Sequence, residues 1–239
     1  MESKINRYSK QLILINSFFI LAWLIVSVFP FIWTFWGSFK VKADFFSRAD
    51  WMFAVTGVNT LIETGDTSTV KAYVESWTEG EFWKATMNTI IITVSVVTIS
   101  LFLGTLGAYA LSRSTYKYTF WILIAALIFR AMPHITLVSG YLFPFFQLNV
   151  WGILPTTIIV LVAINQPFTL WLLYSFFKTV PKELDESALI DGCSYFQAFR
   201  FVIMPVMWPG VVTAGLFSMM LAYNDFTVTS LLLNQQNYT

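Results

Sequence analysis

Charge is scarce in this sequence. Only 11% of its 239 residues are Asp, Glu, Lys or Arg, against about 25% in an ordinary soluble domain, so most of the chain is composed for lipid. No basic cluster or stripe is present, which excludes nucleic-acid binding, and the formal net charge of +1 identifies no partner. The single cysteine, Cys193, excludes an internal disulfide and any cysteine-based metal site. The single histidine, His134, argues against a histidine metal site, so no metal is expected. No G-x-x-x-x-G-K-S/T run occurs, so the chain has no phosphate-binding loop of its own. The first apolar run is too long for a signal-peptide core and lacks a small-residue cleavage site, which makes it a retained anchor.

What is there is hydrophobic: 57% of residues are apolar, 18% are aromatic, and the mean hydropathy is +0.68. A helix crossing a ~30 Å hydrocarbon core needs about 20 apolar residues. Five stretches qualify: Leu12–Trp36, Ala85–Leu111, Phe120–Phe146, Trp151–Phe177 and Phe201–Asn224. Unbroken apolar runs of this length are spanning helices, since barrel strands would alternate. The expected fold class is an all-α polytopic membrane protein.

Basic residues in short loops set the orientation. Lys4, Arg7 and Lys10, then Arg113 and Lys117, then Lys178, Lys182 and Arg200 all fall on one side if the N-terminus is cytoplasmic. The turn between the third and fourth spans is uncharged and falls opposite. The long loop 37–84 is mixed, with five basic and seven acidic residues, and becomes extracytoplasmic. Its Trp51, Phe53, Tyr73, Trp77, Phe82 and Trp83 fit an interfacial aromatic belt or contact with a partner.

Pro181 to Cys193, "PKELDESALIDGC", carries Glu183, Asp185, Glu186 and Asp191 within nine residues. Pro181 suits a helix start, the carboxylates complement the helix dipole, and Gly192 is a stop residue. Ser194 and Gln197 then have capping-box spacing. The pattern predicts a short helix over 182–191, a turn on Gly192 with positive φ, and a second helix entering the membrane. Such a helix is either an ordinary solvated connection or a surface presented to another protein.

Glu186 to Pro205 resembles the cytoplasmic motif of ABC importer permeases: E-A-A, three residues, Gly, nine residues, I-x-L-P. Glu186, Ala188, Gly192 and Pro205 match, while Ser187, Val202 and Met204 replace the other motif residues. "GAYALSR" (107–113), "AMPHITL" (131–137), "SFFKTVPKELDESALIDG" (175–192) and "AYNDF" (222–226) are similar to the maltose-type carbohydrate permeases of that family. The resemblance implies a single permease domain over 1–239, with 181–200 as cytoplasmic coupling segment. It implies six spans, of which five are visible, and a truncated sequence that stops before the sixth. It further implies a multi-pass protein of the prokaryotic inner membrane that transports a sugar or polyol and makes no covalent bonds. Its partners would be ABC ATPase subunits that bind the ATP and Mg, a second permease, an extracytoplasmic solute-binding protein and membrane lipid.

Polar residues inside the apolar runs are the remaining candidates. Arg130 and His134, four apart on the expected third helix, share a face. They line a pathway or make a structural hydrogen bond to Asn165 or Gln166 on the next span. Asn165-Gln166-Pro167 marks either a broken helix at a transport site or a proline kink. Asn224 and Asp225 end the fifth span as an outer gate or a headgroup contact. Gly104, Gly107 and Ala108 fit helix packing. Two other classes remain open. A membrane enzyme needs more converging groups than Arg130 and His134 supply, and a scaffold or channel subunit would copurify without an ATPase. The orientation is checked with single cysteines in a Cys193→Ser background and an impermeant thiol reagent on intact cells. Position 66 should label and position 117 should not; the reverse would invert the topology.

Overall fold

A computed structural model of the chain describes residues 2–38 and 68–233. Trp51, Phe53, most of the 37–84 loop and the polar end at 234–239 lie outside the described residues. The chain divides into two units, Met1–Glu81 and Phe82–Thr239. Among the described residues the regular structure is helical, apart from one isolated bridge between Gly152 and Leu233.

The first unit holds helix α1, Glu2–Gly37, and helix α2, Ser68–Thr78. Within α1, Leu12–Phe35 is long and apolar enough to cross a membrane, and none of it is buried. A helix that is apolar all round is a lipid-facing or core helix. Pro30 sits inside α1, and the Thr34 hydroxyl donates back to the Pro30 carbonyl at 2.7 Å. In α2, Tyr73, Val74 and Trp77 are exposed, and the Tyr73 hydroxyl donates to the Ser38 hydroxyl that follows α1.

The second unit is built on three long helices: α3, Phe82–Arg113; α6, Leu154–Thr179; and α9, Met204–Tyr223. Between α3 and α6 stand α4, Thr119–Ala131, and α5, His134–Gln147. Between α6 and α9 stand α7, Glu183–Ile190, a single turn α8, Tyr195–Gln197, and a π-helical turn Ala198–Ile203. Helix α10, Phe226–Leu232, follows α9. Four helical stretches are apolar and long enough to span, or five if α4 and α5 count as one.

The expected third span is not one straight helix. Met132 and Pro133 are extended, with ψ of 141° and 124°, and α4 meets α5 at 87°. Pro133 disfavours the helical region for Met132 and cannot donate a backbone hydrogen bond, so the helix stops and restarts. The opposite holds at Asn165-Gln166-Pro167. There α6 runs unbroken through Pro167, so the broken-helix reading does not apply. Asn165, Pro167 and Thr169 are all buried, and packing holds α6 together across the proline. The π-turn has a comparable cause. Pro205 supplies no N–H for the Phe201 carbonyl, and the Met204 N–H reaches one residue further back, to Phe199.

Two apolar clusters tie the helices at opposite ends. Ile92, Val96, Val138, Val160, Leu161, Ile164, Val228 and Leu232 form one; the Trp151 indole N–H, donating to the Leu231 carbonyl at 3.1 Å, closes it. Ala108, Leu173, Phe177, Phe199, Ile203, Met207 and Ala214 form the other, beneath α7. Small residues let the backbones approach, as their spacing suggested. A Cβ on Gly104 would stand 3.1 Å from Thr169 and 3.2 Å from Leu173.

Gly210 is tighter still: a Cβ there would meet Phe176 Cγ at 2.9 Å and Phe176 Cβ at 3.1 Å, whereas one on Gly140 meets nothing within 4 Å. Gly210→Ala should therefore cost about 1–3 kcal/mol by overpacking, and Gly140→Ala should cost nothing. Thermal melts of the two purified variants check the contrast; equal midpoints would refute the close α6–α9 approach.

Candidate functional site

Two constellations emerge at the two ends of the second unit. The first is the elbow around α7. Lys182 is its N-cap, and Glu183, Asp185 and Glu186 occupy the first turn, where the dipole favours carboxylates. The C-terminal end is a Schellman pair: the Cys193 N–H donates to Ala188 O at 3.0 Å and the Gly192 N–H to Leu189 O at 3.1 Å. Gly192 has φ +87°, a conformation that side chains other than glycine's adopt only at a cost. Ser194 and Gln197 form the reciprocal capping box that opens the next helix.

Ala188 is buried against the elbow, and Leu184, Val202 and Met204 pack on the cluster beneath. The outward side is different. Ile190 is 86% exposed, Tyr195 75% and Phe196 65%, among the exposed Glu183, Glu186, Ser187 and Asp191. Exposed apolar groups rimmed by charge mark an interaction surface.

What fixes the elbow is a set of residues that sequence reasoning assigned to other tasks. Asp185 Oδ2 lies 2.8 Å from Arg113 Nη2, the two side chains being 16% (Arg113) and 14% (Asp185) exposed. Tyr109 donates its hydroxyl to Asp185 Oδ1 at 2.5 Å. Arg113 also donates from Nη1 to the carbonyls of Val180 at 3.0 Å and Phe177 at 3.4 Å. The Tyr109 ring packs on Phe199 with centroids 4.8 Å apart. One guanidinium thus joins the end of α3, the end of α6 and the start of α7. The spacing inside "GAYALSR", which puts Tyr109 and Arg113 one turn apart, was the available signal.

The second constellation lies at the α4–α5 corner. Arg130 and His134 do not share a continuous helix as expected; they flank the break, with Nη1 and Nε2 2.7 Å apart. A guanidinium can only donate, so the imidazole accepts at Nε2 and carries its proton on Nδ1. That nitrogen faces Asp225 Oδ2 at 3.6 Å. Asp225 is also the N-cap of α10, accepting from the Val228 N–H at 2.8 Å. Asn224 bonds back to the Met220 carbonyl through its amide nitrogen at 2.8 Å.

Arg130, His134, Asn165, Asn224 and Asp225 line one cavity of about 390 Å³, together with Phe168, Phe217, Met220 and Leu221. Asn224 and Asp225 also line a second cavity of about 680 Å³ against α3, beside Phe82, Thr89 and Thr93. Gln166 stands elsewhere. Its amide nitrogen faces Gly104 of α3, and its buried Oε1 has no hydrogen-bond partner among the described residues. Among the described residues no group of His, Cys, Asp and Glu is arranged to hold a metal ion.

Comparison with known proteins identifies the class. Residues 100–238 match the family described as "Binding-protein-dependent transport system inner membrane component". The chain belongs to that family and is a multi-pass permease subunit of an ABC transporter. It is 28% identical over 229 residues to the diacetylchitobiose uptake system permease protein NgcG of Streptomyces coelicolor, covering 91% of this chain and 68% of that one. It is 32% identical over 220 residues to the trehalose/maltose transport system permease protein MalG of Thermococcus litoralis, covering 91% and 73%. Its fold is similar to a crystal structure of a bacterial ABC transporter involved in the import of the acidic polysaccharide alginate. The TM-score is 0.73 at 21% identity, over 94% of this chain and 75% of that one.

Arg113→Ala would leave Asp185 buried opposite no cation and should cost about 3–5 kcal/mol. Adding Asp185→Ala should recover part of that loss, because no charge is then left unpaired. Melting the single and double variants side by side checks the clasp; equal destabilisation would mean that the two side chains do not act as a pair.

Proposed function

We propose that this chain is the membrane-spanning half of a carbohydrate importer, coupled through the α7 elbow to a separate ATPase. The observation that carries the coupling is the elbow itself: an exposed apolar tip of Ile190, Tyr195 and Phe196, ringed by carboxylates and anchored from behind by Arg113. A surface held so firmly and left apolar suits a cleft on a partner with a basic rim. Glu186 and Gly192 then have distinct tasks. Glu186 favours the helix start and faces the partner, while Gly192 turns the chain back toward the membrane.

In this reading the elbow is cytoplasmic, as is the N-terminus, and the protein resides in a prokaryotic inner membrane. ATP and Mg are bound by ATPase subunits, a second permease completes the pathway, and an extracytoplasmic binding protein delivers the solute. The carbohydrate assignment draws support from the diacetylchitobiose and trehalose/maltose relatives. The two cavities that share Asn224 and Asp225 gather polar groups at one end of an apolar bundle, where buried charges otherwise carry a large cost.

A Cβ on Gly192 would meet nothing within 4 Å, so substitution acts through φ alone, at roughly 1–2 kcal/mol. Asparagine tolerates the left-handed region better than valine. In reconstituted vesicles with all partners, Gly192→Asn should retain more uptake and solute-stimulated ATP hydrolysis than Gly192→Val. Glu186→Lys should uncouple, by placing a cation at the positive end of α7. Wild-type coupling in Gly192→Val and Glu186→Lys would reduce the elbow to a solvated connection.

A further inference from the structure

We propose that the cavity at the α4–α5 corner binds one neutral pyranose ring of the transported solute, so that solute contacts this subunit itself and not only its partner permease. The proposal rests on the carbohydrate reading above and adds a site, a ligand charge and a set of contacts.

The dimensions fit: about 390 Å³, within the roughly 300–1,000 Å³ of small-molecule sites. The walls fit as well. Phe168 and Phe217 meet edge to face with centroids 6.0 Å apart, offering aromatic surface to the C–H face of a sugar ring. Around them stand the donors and acceptors that hydroxyl groups need. Arg130 uses Nη1 on His134 and has further N–H groups to donate. Asp225 accepts from Val228 at Oδ1, and its Oδ2 stands 3.6 Å from His134, with lone pairs to spare for a hydroxyl.

Asn165 is the most telling residue. It is only 3% exposed and lines the cavity. Its backbone carbonyl accepts from Thr169, which leaves the side-chain amide, with its donor and its acceptor, as the polar group it brings to the cavity wall. A ligand hydroxyl there could both donate to it and accept from it.

Charge selects among sugars. Arg130 contributes one positive charge, Asp225 one negative charge, and the His134 imidazole, accepting at Nε2, none. The lining is balanced before any ligand enters. An acidic sugar would bring a second carboxylate beside Asp225, whose side chain is only 11% exposed, and like charges at close range repel. A neutral ring adds no charge.

The test uses the complete complex of this chain, its partner permease and the ATPases in nanodiscs, without the solute-binding protein. Calorimetric titration is run with maltose, trehalose, diacetylchitobiose and an acidic disaccharide from alginate. At least one neutral disaccharide should bind and the acidic one should not. Asn165→Ala and Phe168→Ala should each weaken binding about tenfold. Asp225→Asn keeps an oxygen to cap α10 but leaves the cavity with a net positive charge, so it should gain binding of the acidic disaccharide. That gain cannot come from misfolding.

Absence of saccharide binding by the wild-type complex overturns the proposal, as does a neutral-sugar affinity untouched by Asn165→Ala and Phe168→Ala, or failure of Asp225→Asn to admit the acidic sugar. Uptake assays with the binding protein present separate the two levels. Saccharide uptake by a complex that fails the titration removes only this subsite, whereas uptake of no saccharide at all removes the carbohydrate reading beneath it.

Discussion

One guanidinium holds the working end of this protein together. Arg113 closes α3, donates to the last carbonyls of α6 and pairs with a carboxylate in the first turn of α7. Each task follows from elementary constraints. The carbonyls that end a helix need donors, and a mostly buried carboxylate needs a cation. An eight-residue helix is too short to be stable by itself in water. Meeting all three needs with one side chain makes α7 part of the bundle rather than an appendage, so that force on the Ile190–Phe196 surface would pass directly into α3 and α6.

The opposite end depends on proline geometry. Pro133 turns an apolar run that could have crossed the membrane straight into two helices at 87°. The turn brings Arg130 and His134 to a cavity that Asp225 also lines, instead of leaving the pair along one straight helix. Asp225 stands where two cavities meet and also caps α10, so the local order of the chain after α9 is linked to the polar contents of the corner.

Much of the elbow was legible in the sequence because its determinants are local. Acidic residues at a helix start, a glycine stop with positive φ and Ser–Gln capping spacing each act within a few residues, and each appears where the pattern placed it. The 87° break was harder to read. Hydropathy counts apolar residues without regard to direction, so Phe120–Phe146 reads as one span although Pro133 already disfavoured a helical Met132. Asn165 and Gln166 illustrate a missed inference: neighbours on a helix point about 100° apart, so only one of them could face the corner. The Arg113–Asp185 pair joins residues far apart in sequence. Nothing in one sequence connects a charge read for topology with a charge read for a helix dipole.

The central claim is that α7 moves as one body with the end of α3. Spin labels at positions 187 and 116, in a Cys193→Ser background, report the distance across the clasp by pulsed electron resonance in the assembled complex. The account predicts one narrow distance distribution that is the same with and without ATP, and a broadened one when Arg113 is changed to Gln. A distance that shifts on ATP binding in the otherwise wild-type complex, or a distribution equally narrow in Arg113→Gln, would contradict it.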